Sequence, residues 1–127
     1  MAKIFVFGSN RLGIHKRGAA KDALNRYGAI LGQGEGIQGQ SYALPTKSTP
    51  WKSLTVDEIR EHANTFVKYA KSHGDDEFLL TRVGCGLAGF TDKQMAPLFA
   101  DSPVNVTIPI EWKGYIKNNN PVNDSQV

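Results

Sequence analysis

Twice along this chain an apolar run ends in a glycine-bearing turn that opens into a helix pattern. Residues 3–7, "KIFVF", lead into "GSNRLGIHKRGAA", and residues 78–83, "FLLTRV", lead into "GCGLAGFTDKQ". Short runs of β-branched and aromatic residues are the pattern of buried strands. A strand that hands over to a helix cannot return as a hairpin, so repeated units of this kind specify an α/β fold. The expected architecture is a mostly parallel mixed sheet with helices on both faces. The same unit has a chemical consequence. It aims backbone N–H groups and a helix N-terminus at one point, where an anion is stabilised. In open α/β sheets ligands sit outside the carboxyl ends of the strands. One such loop is equally well explained as a tight turn; two in matching positions favour a shared cleft.

The intervening sequence fits this alternation. Residues 18–28 place Ala19, Ala20, Ala23, Leu24 and Tyr27 on one helical stripe and end at Gly28, which reads as a C′ glycine. "GQGEGIQG", residues 32–39, reads as a loop that bends tightly or moves, and as a flexible flap over the cleft. Its "GEGIQG" matches G-x-G-x-x-G, but it follows a helix and precedes a strand, the reverse of the dinucleotide fingerprint. "SYALP" predicts a short strand over 41–44 stopped by Pro45, with "TKSTPW" as a connector. The clearest helix spans 55–72. Thr55 and Glu58 make a capping box, Val56, Ile59, Ala63, Phe66, Val67 and Ala70 share a stripe, and Gly74 ends it. Thr91 and Gln94 predict a second capping box, opening a helix to about Ala100 that Pro97 distorts. Residues 104–110, "VNVTIPI", read as an edge strand because of the proline. Residues 1–114 form one domain, and the polar stretch 115–127 is expected to fray.

Composition removes several function classes. The chain has 127 residues, 40% hydrophobic and 21% charged, enough for one ordinary globular core. No apolar run approaches the ~18 residues of a membrane span, and "MAKIFVFGSN" lacks the features of a signal peptide, so a cytoplasmic setting is expected. The single cysteine forms no internal disulfide. A net charge of +3 and a pI near 9.1 are mild, and apart from "HKR" at 15–17 the basic residues are scattered. A nucleic-acid module would concentrate them on one face, so nucleic acid is the weaker partner class.

Several residues are candidates for chemistry. Cys85 lacks an adjacent base, and its glycine neighbours suit a small buried filler better than a nucleophile. No metal is expected, since one Cys and three scattered His give no ligand spacing. His15 is either an exposed loop residue or an acid/base or phosphate contact. His62 and His73, on the long helix and at its exit, are structural. Lys47 could point an ammonium into the cleft, and Asp92 at the start of the last helix is either a dipole partner or a catalyst.

These segments resemble the macrodomain family of ADP-ribose-binding modules, chiefly short macrodomain-like proteins of phages and bacteria. "IFVFGSNRLG" is similar to the family's apolar strand ending in Asn, and "RGAAKDALNRYGA" to its glycine–alanine helix. "YALPTK" is similar to the following strand and loop, and "LLTRVGCGLAGF" to its diphosphate loop. The similarity covers residues 3–110. It implies a three-layer fold and an ADP-ribose-like small-molecule partner, with no cofactor. It also implies a host-cytoplasm setting if the chain is phage-encoded. Gly8, Ser9, Asn10, Gly13, Gly18 and Ala19 would line one side, with Asn10 on the distal ribose. Gly84, Cys85, Gly86, Leu87, Ala88, Gly89 and Phe90 would wrap the diphosphate, with Phe90 against that ribose. Departures are specific. The family's extra N-terminal strand and its adenine-reading acid are missing, and Lys16 and Arg17 replace glycine-rich sequence. One de-ADP-ribosylating branch pairs a "TK" lysine, matched by Lys47, with an acid where this chain has Ala88. The expectations are therefore a nucleotide-binding module, or an enzyme using His15, Asp92 or Lys47 as a phosphatase on ADP-ribose 1″-phosphate or an ADP-ribosyl hydrolase. A nucleic-acid module is the third and weakest.

Overall fold

The computed structural model describes residues 2–123. Its elements are β1 (Lys3–Asn10), α1 (Gly18–Arg26), β2 (Gly36–Gln38), β3 (Ser41–Thr49), β4 (Lys52–Ser53), α2 (Val56–Lys71), β5 (Glu77–Leu80), α3 (Asp92–Met95), β6 (Val106–Pro109) and β7 (Val122–Asn123). The sheet order is β2-β3-β1-β5-β6-β7, with β4 paired to β3. Every pairing from β3 through β7 along this order is parallel; β2 and β4 run antiparallel to β3. The mixed, mostly parallel α/β sheet expected from the alternation is the one observed.

β1 sorts the core. Successive side chains of a strand point to opposite faces. Ile4 and Val6 join the larger cluster with Ile59, Ala63, Phe66 and Phe78, whereas Phe7 joins Ala20, Ala23, Ala29 and Ala43. α2 thus packs with the first set and α1 with the second. The alanines of α1 let its backbone approach the sheet closely, and Gly28, at φ 77°, follows the helix as expected. Both capping boxes form. The Thr55 hydroxyl accepts from the Glu58 amide while the Glu58 carboxylate accepts from the Thr55 amide, and Thr91 and Gln94 repeat the pattern. Pro97 ends α3 after one turn, and Ala96–Phe99 continues as 3₁₀ helix.

Several expectations need correction, and the reasons are non-local. Pro45 does not stop β3, which runs on to Thr49. β2 reaches only to Ala43 and β4 begins opposite Lys47, so Pro45 falls in a gap on that side of the strand. The strand expected through Val83 ends at Leu80; Thr81 still donates to Val6 O of β1, and the chain turns tightly at Val83, whose amide donates to Thr81 O. β6 is an interior strand, buried throughout, because β7 pairs on its far side. β7 comes from the stretch expected to fray, and Ile116 is buried in the main core. Ile116 and Val122–Asn123 are thus part of the packed structure, while 124–127 lie outside the described residues.

Residues 32–39 are not a flap. Three of them form β2. The Gly32 amide donates to Gly13 O at 2.9 Å, the Ser9 hydroxyl donates to Gly34 O, and Gln38 Oε1 accepts from the Ile30 amide at 2.8 Å. His62 Nδ1 pairs with Glu35 Oε2 at 2.7 Å, fastening the segment to α2. The fit is close enough that a Cβ on Gly13, whose φ is +72°, would lie 2.4 Å from Gln33 N.

Candidate ligand-binding site

A cavity of about 670 Å³ opens at the carboxyl ends of the parallel strands β1, β3 and β5. Of the expected binding residues, Gly8, Ser9, Asn10, Gly18, Ala19, Gly84, Cys85, Gly86, Leu87 and Ala88 line it, as does Lys47. The two glycine loops therefore do meet in one cleft. Gly13 does not reach it; it is used to seat residues 32–34. Gly89 and Phe90 also lie outside the lining. The Phe90 amide closes the loop onto Gly84 O at 2.9 Å, and its ring packs against the main core.

Residues 84–88 of the second loop line the cavity. The loop's ends are fastened by Cys85 N to Arg82 O, Gly89 N to Gly86 O and Phe90 N to Gly84 O. Among the described residues, the amides of Gly86, Leu87 and Ala88 have no acceptor in the protein. Consecutive unpaired N–H groups form a concavity that suits an anion. The same cavity is lined by Gly18, Ala19 and Ala20 at the start of α1. That helix begins at Arg17 without a side-chain cap and has no acid in its first turn. Its free N–H groups and dipole add to the positive potential. Lys16, Arg17, Lys47 and Arg82 are the charged residues of the lining, which has no Asp or Glu among the described residues.

The first loop is held by its own side chains. Asn10 Nδ2 donates to Ile14 O at 2.9 Å, and Asn10 Oδ1 accepts from the Ile14 amide at 3.1 Å. Asn10 thus clamps the 10–14 turn with both ends of its amide, leaving one N–H and one lone pair for a ligand.

The three candidate catalysts part company. His15 is fully buried and does not line the cavity. Its Nε2 lies 3.0 Å from Gln33 O, and its ring meets Phe7 edge-on at 5.2 Å. The carbonyl makes Nε2 the protonated nitrogen. His15 is a strut between the first loop and residues 32–34, neither an exposed histidine nor a phosphate contact. Asp92 is also outside the lining, and its oxygens are occupied. Arg82 holds it with Nε at 3.0 Å and Nη2 at 2.8 Å, and Trp112 Nε1 donates to it at 2.8 Å. The Arg82 hydrogen bonds, helped by Trp112 and Cys85, keep its carboxyl below the ordinary range. Lys47 remains at the cavity, its Nζ donating to Pro50 O.

Cys85 behaves as filler. Burial first, then the hydrogen bond and charge of Asp92, push its thiol up to about 12. A thiol in that range is not a nucleophile at neutral pH. Trp51 was not apparent as a site residue from sequence, nor were Thr46, Pro50, Thr81 and Arg82. "STPWKS" read as a connector; the available signal was a tryptophan in so short and polar a stretch.

No family model, curated protein or solved structure matches this chain. Among the described residues no helix is long and apolar enough to cross a membrane, and no group of His, Cys, Asp and Glu could hold a metal.

Proposed function

We propose that the protein binds ADP-ribose or a related NAD-derived nucleotide, with the diphosphate against the amides of Gly86, Leu87 and Ala88. The observation that carries this reading is that run of unpaired amides, set in one cavity with the uncapped start of α1 and with Lys16, Arg17 and Lys47. Oriented amides and cations without a competing carboxylate favour a doubly charged group. The volume lies in the range of small-molecule sites, roughly 300–1,000 Å³. A concave site also favours a small ligand over nucleic acid, which would need an open basic face. Binding is preferred to the phosphatase and hydrolase readings because His15 and Asp92 stand outside the cavity. Lys47 alone offers no acid–base pair.

A thermal-shift panel of NAD-derived nucleotides tests the reading. ADP-ribose, its 1″-phosphate or a cyclic form should raise the melting temperature by several degrees at millimolar ligand. No shift with any of them would refute it.

A further inference from the structure

Trp51 is 86% exposed, the most exposed of the large apolar side chains among the described residues, and it is carried on a hydrogen-bonded turn. It sits in the turn between β3 and β4 and lines the cavity with Pro50. Its amide donates to Thr49 Oγ1 at 3.2 Å, and the Lys47 ammonium donates to Pro50 O, so the turn is braced on both sides. The hairpin is also tied to the glycine loop, because Ser53 Oγ donates to Ala88 O at 2.7 Å. The turn that carries the indole is therefore tied to the loop of Leu87 and Ala88, and Leu87, itself 62% exposed, supplies a second apolar surface on the lining.

We propose that Trp51 is the stacking platform for the planar base of the bound nucleotide, and that the site holds this base by its face rather than by its hydrogen-bonding edge. The proposal rests on the nucleotide reading above. A flat, exposed aromatic on a braced turn that lines the same cavity as the unpaired amides matches a ligand with a heteroaromatic ring next to its phosphates. Among the described residues the lining has no carboxylate to accept from an exocyclic amine. Stacking tolerates any base, since each has a π-face. The ligand class is therefore a nucleotide diphosphate whose base is not read by its edge, so that adenine and hypoxanthine are accepted alike.

Calorimetry on wild type, Trp51→Ala and Trp51→Phe, each with ADP-ribose, its hypoxanthine analogue and base-free ribose 5-phosphate plus pyrophosphate, tests this. The expected result is that Trp51→Ala binds ADP-ribose roughly tenfold more weakly while base-free binding is unchanged, and that Trp51→Phe recovers most of the loss. The two purine ligands should bind wild type within about threefold of each other. Wild type that binds ADP-ribose, with Trp51→Ala equal to it, would overturn the stacking role and leave the nucleotide reading standing. A strong preference for adenine would overturn the face-only recognition. Wild type that binds none of the ligands would refute both readings.

Discussion

At the end of β1 and in the loop to α1, the buried polar side chains are turned inward: Ser9 to Gly34 O, Asn10 to Ile14, His15 to Gln33 O. In the loop between β5 and α3, the fastening is at the ends, and the amides of residues 86–88, which line the cavity, are left without a protein acceptor among the described residues. Both are strand–glycine–helix turns, yet the first is a scaffold and the second a contact surface. The first delivers the start of α1 to the cleft and is held by residues 32–34, which bond to Ser9, Gly13 and His15. The second can present backbone because its anchors, the Arg82–Asp92 pair and Trp112, bond to one another and leave the amides of residues 86–88 without a partner among the described residues. Glycine has a different role in each. At Gly13 it admits a neighbouring backbone; at Gly86 nothing of the protein lies within 4 Å of a would-be Cβ, so the space is left for something else.

Substitutions should separate these roles. The largest effect is expected at Gly13→Ala, which combines a positive φ with a backbone clash. It should cost about 3 kcal/mol or more in urea denaturation, or prevent folding. A change below about 1 kcal/mol would mean that residues 32–34 do not pack behind the loop as described.

Asp92→Ala should cost about 2 kcal/mol, because the Trp112 N–H is left buried without an acceptor. Asp92 also has a pH signature. Its carboxyl is held low in the folded state, so its contribution is present above the ordinary carboxylate range and lost as pH falls. The variant should therefore lose less stability than wild type between neutral and acid pH. Parallel acid limbs would contradict the anchor role.

Cys85 predicts a smaller effect of opposite sign. Its thiol rises from an ordinary value near 9 to about 12 on folding, so the stability it contributes is present below pH 9 and lost as pH rises toward 12. At pH 8, iodoacetamide should modify the folded protein more than about a hundredfold more slowly than the urea-unfolded chain. Comparable rates would restore Cys85 as a reactive thiol.

The parts legible in the sequence were those with local causes. Thr55 with Glu58 and Thr91 with Gln94 name their helix starts because a capping box is completed within four residues. The meeting of two glycine loops was legible because strand-to-helix handover fixes which end of the sheet they occupy. Pro45 misled because the gap on its free side depends on where β2 ends and β4 begins, information held elsewhere in the chain. His15 looked solvated beside Lys16 and Arg17; its burial comes from residues 32–34 folding against it. Asp92 looked like a helix-start carboxylate, as it is, but its partners Arg82 and Trp112 are brought by the fold. Trp51 reads as a connector residue until the β3–β4 hairpin turns it into the rim of the cavity.

The central claim is that backbone amides in the second loop hold the diphosphate, and Gly86→Ala tests it most directly. The φ of Gly86 is not in the left-handed region, so the substitution should leave stability unchanged or raise it by a few tenths of a kcal/mol. Calorimetry with ADP-ribose on wild type and Gly86→Ala should then show binding by wild type and at least about tenfold weaker binding by the variant, with equal melting temperatures. Equal affinities, or no heat from wild type, would contradict the claim.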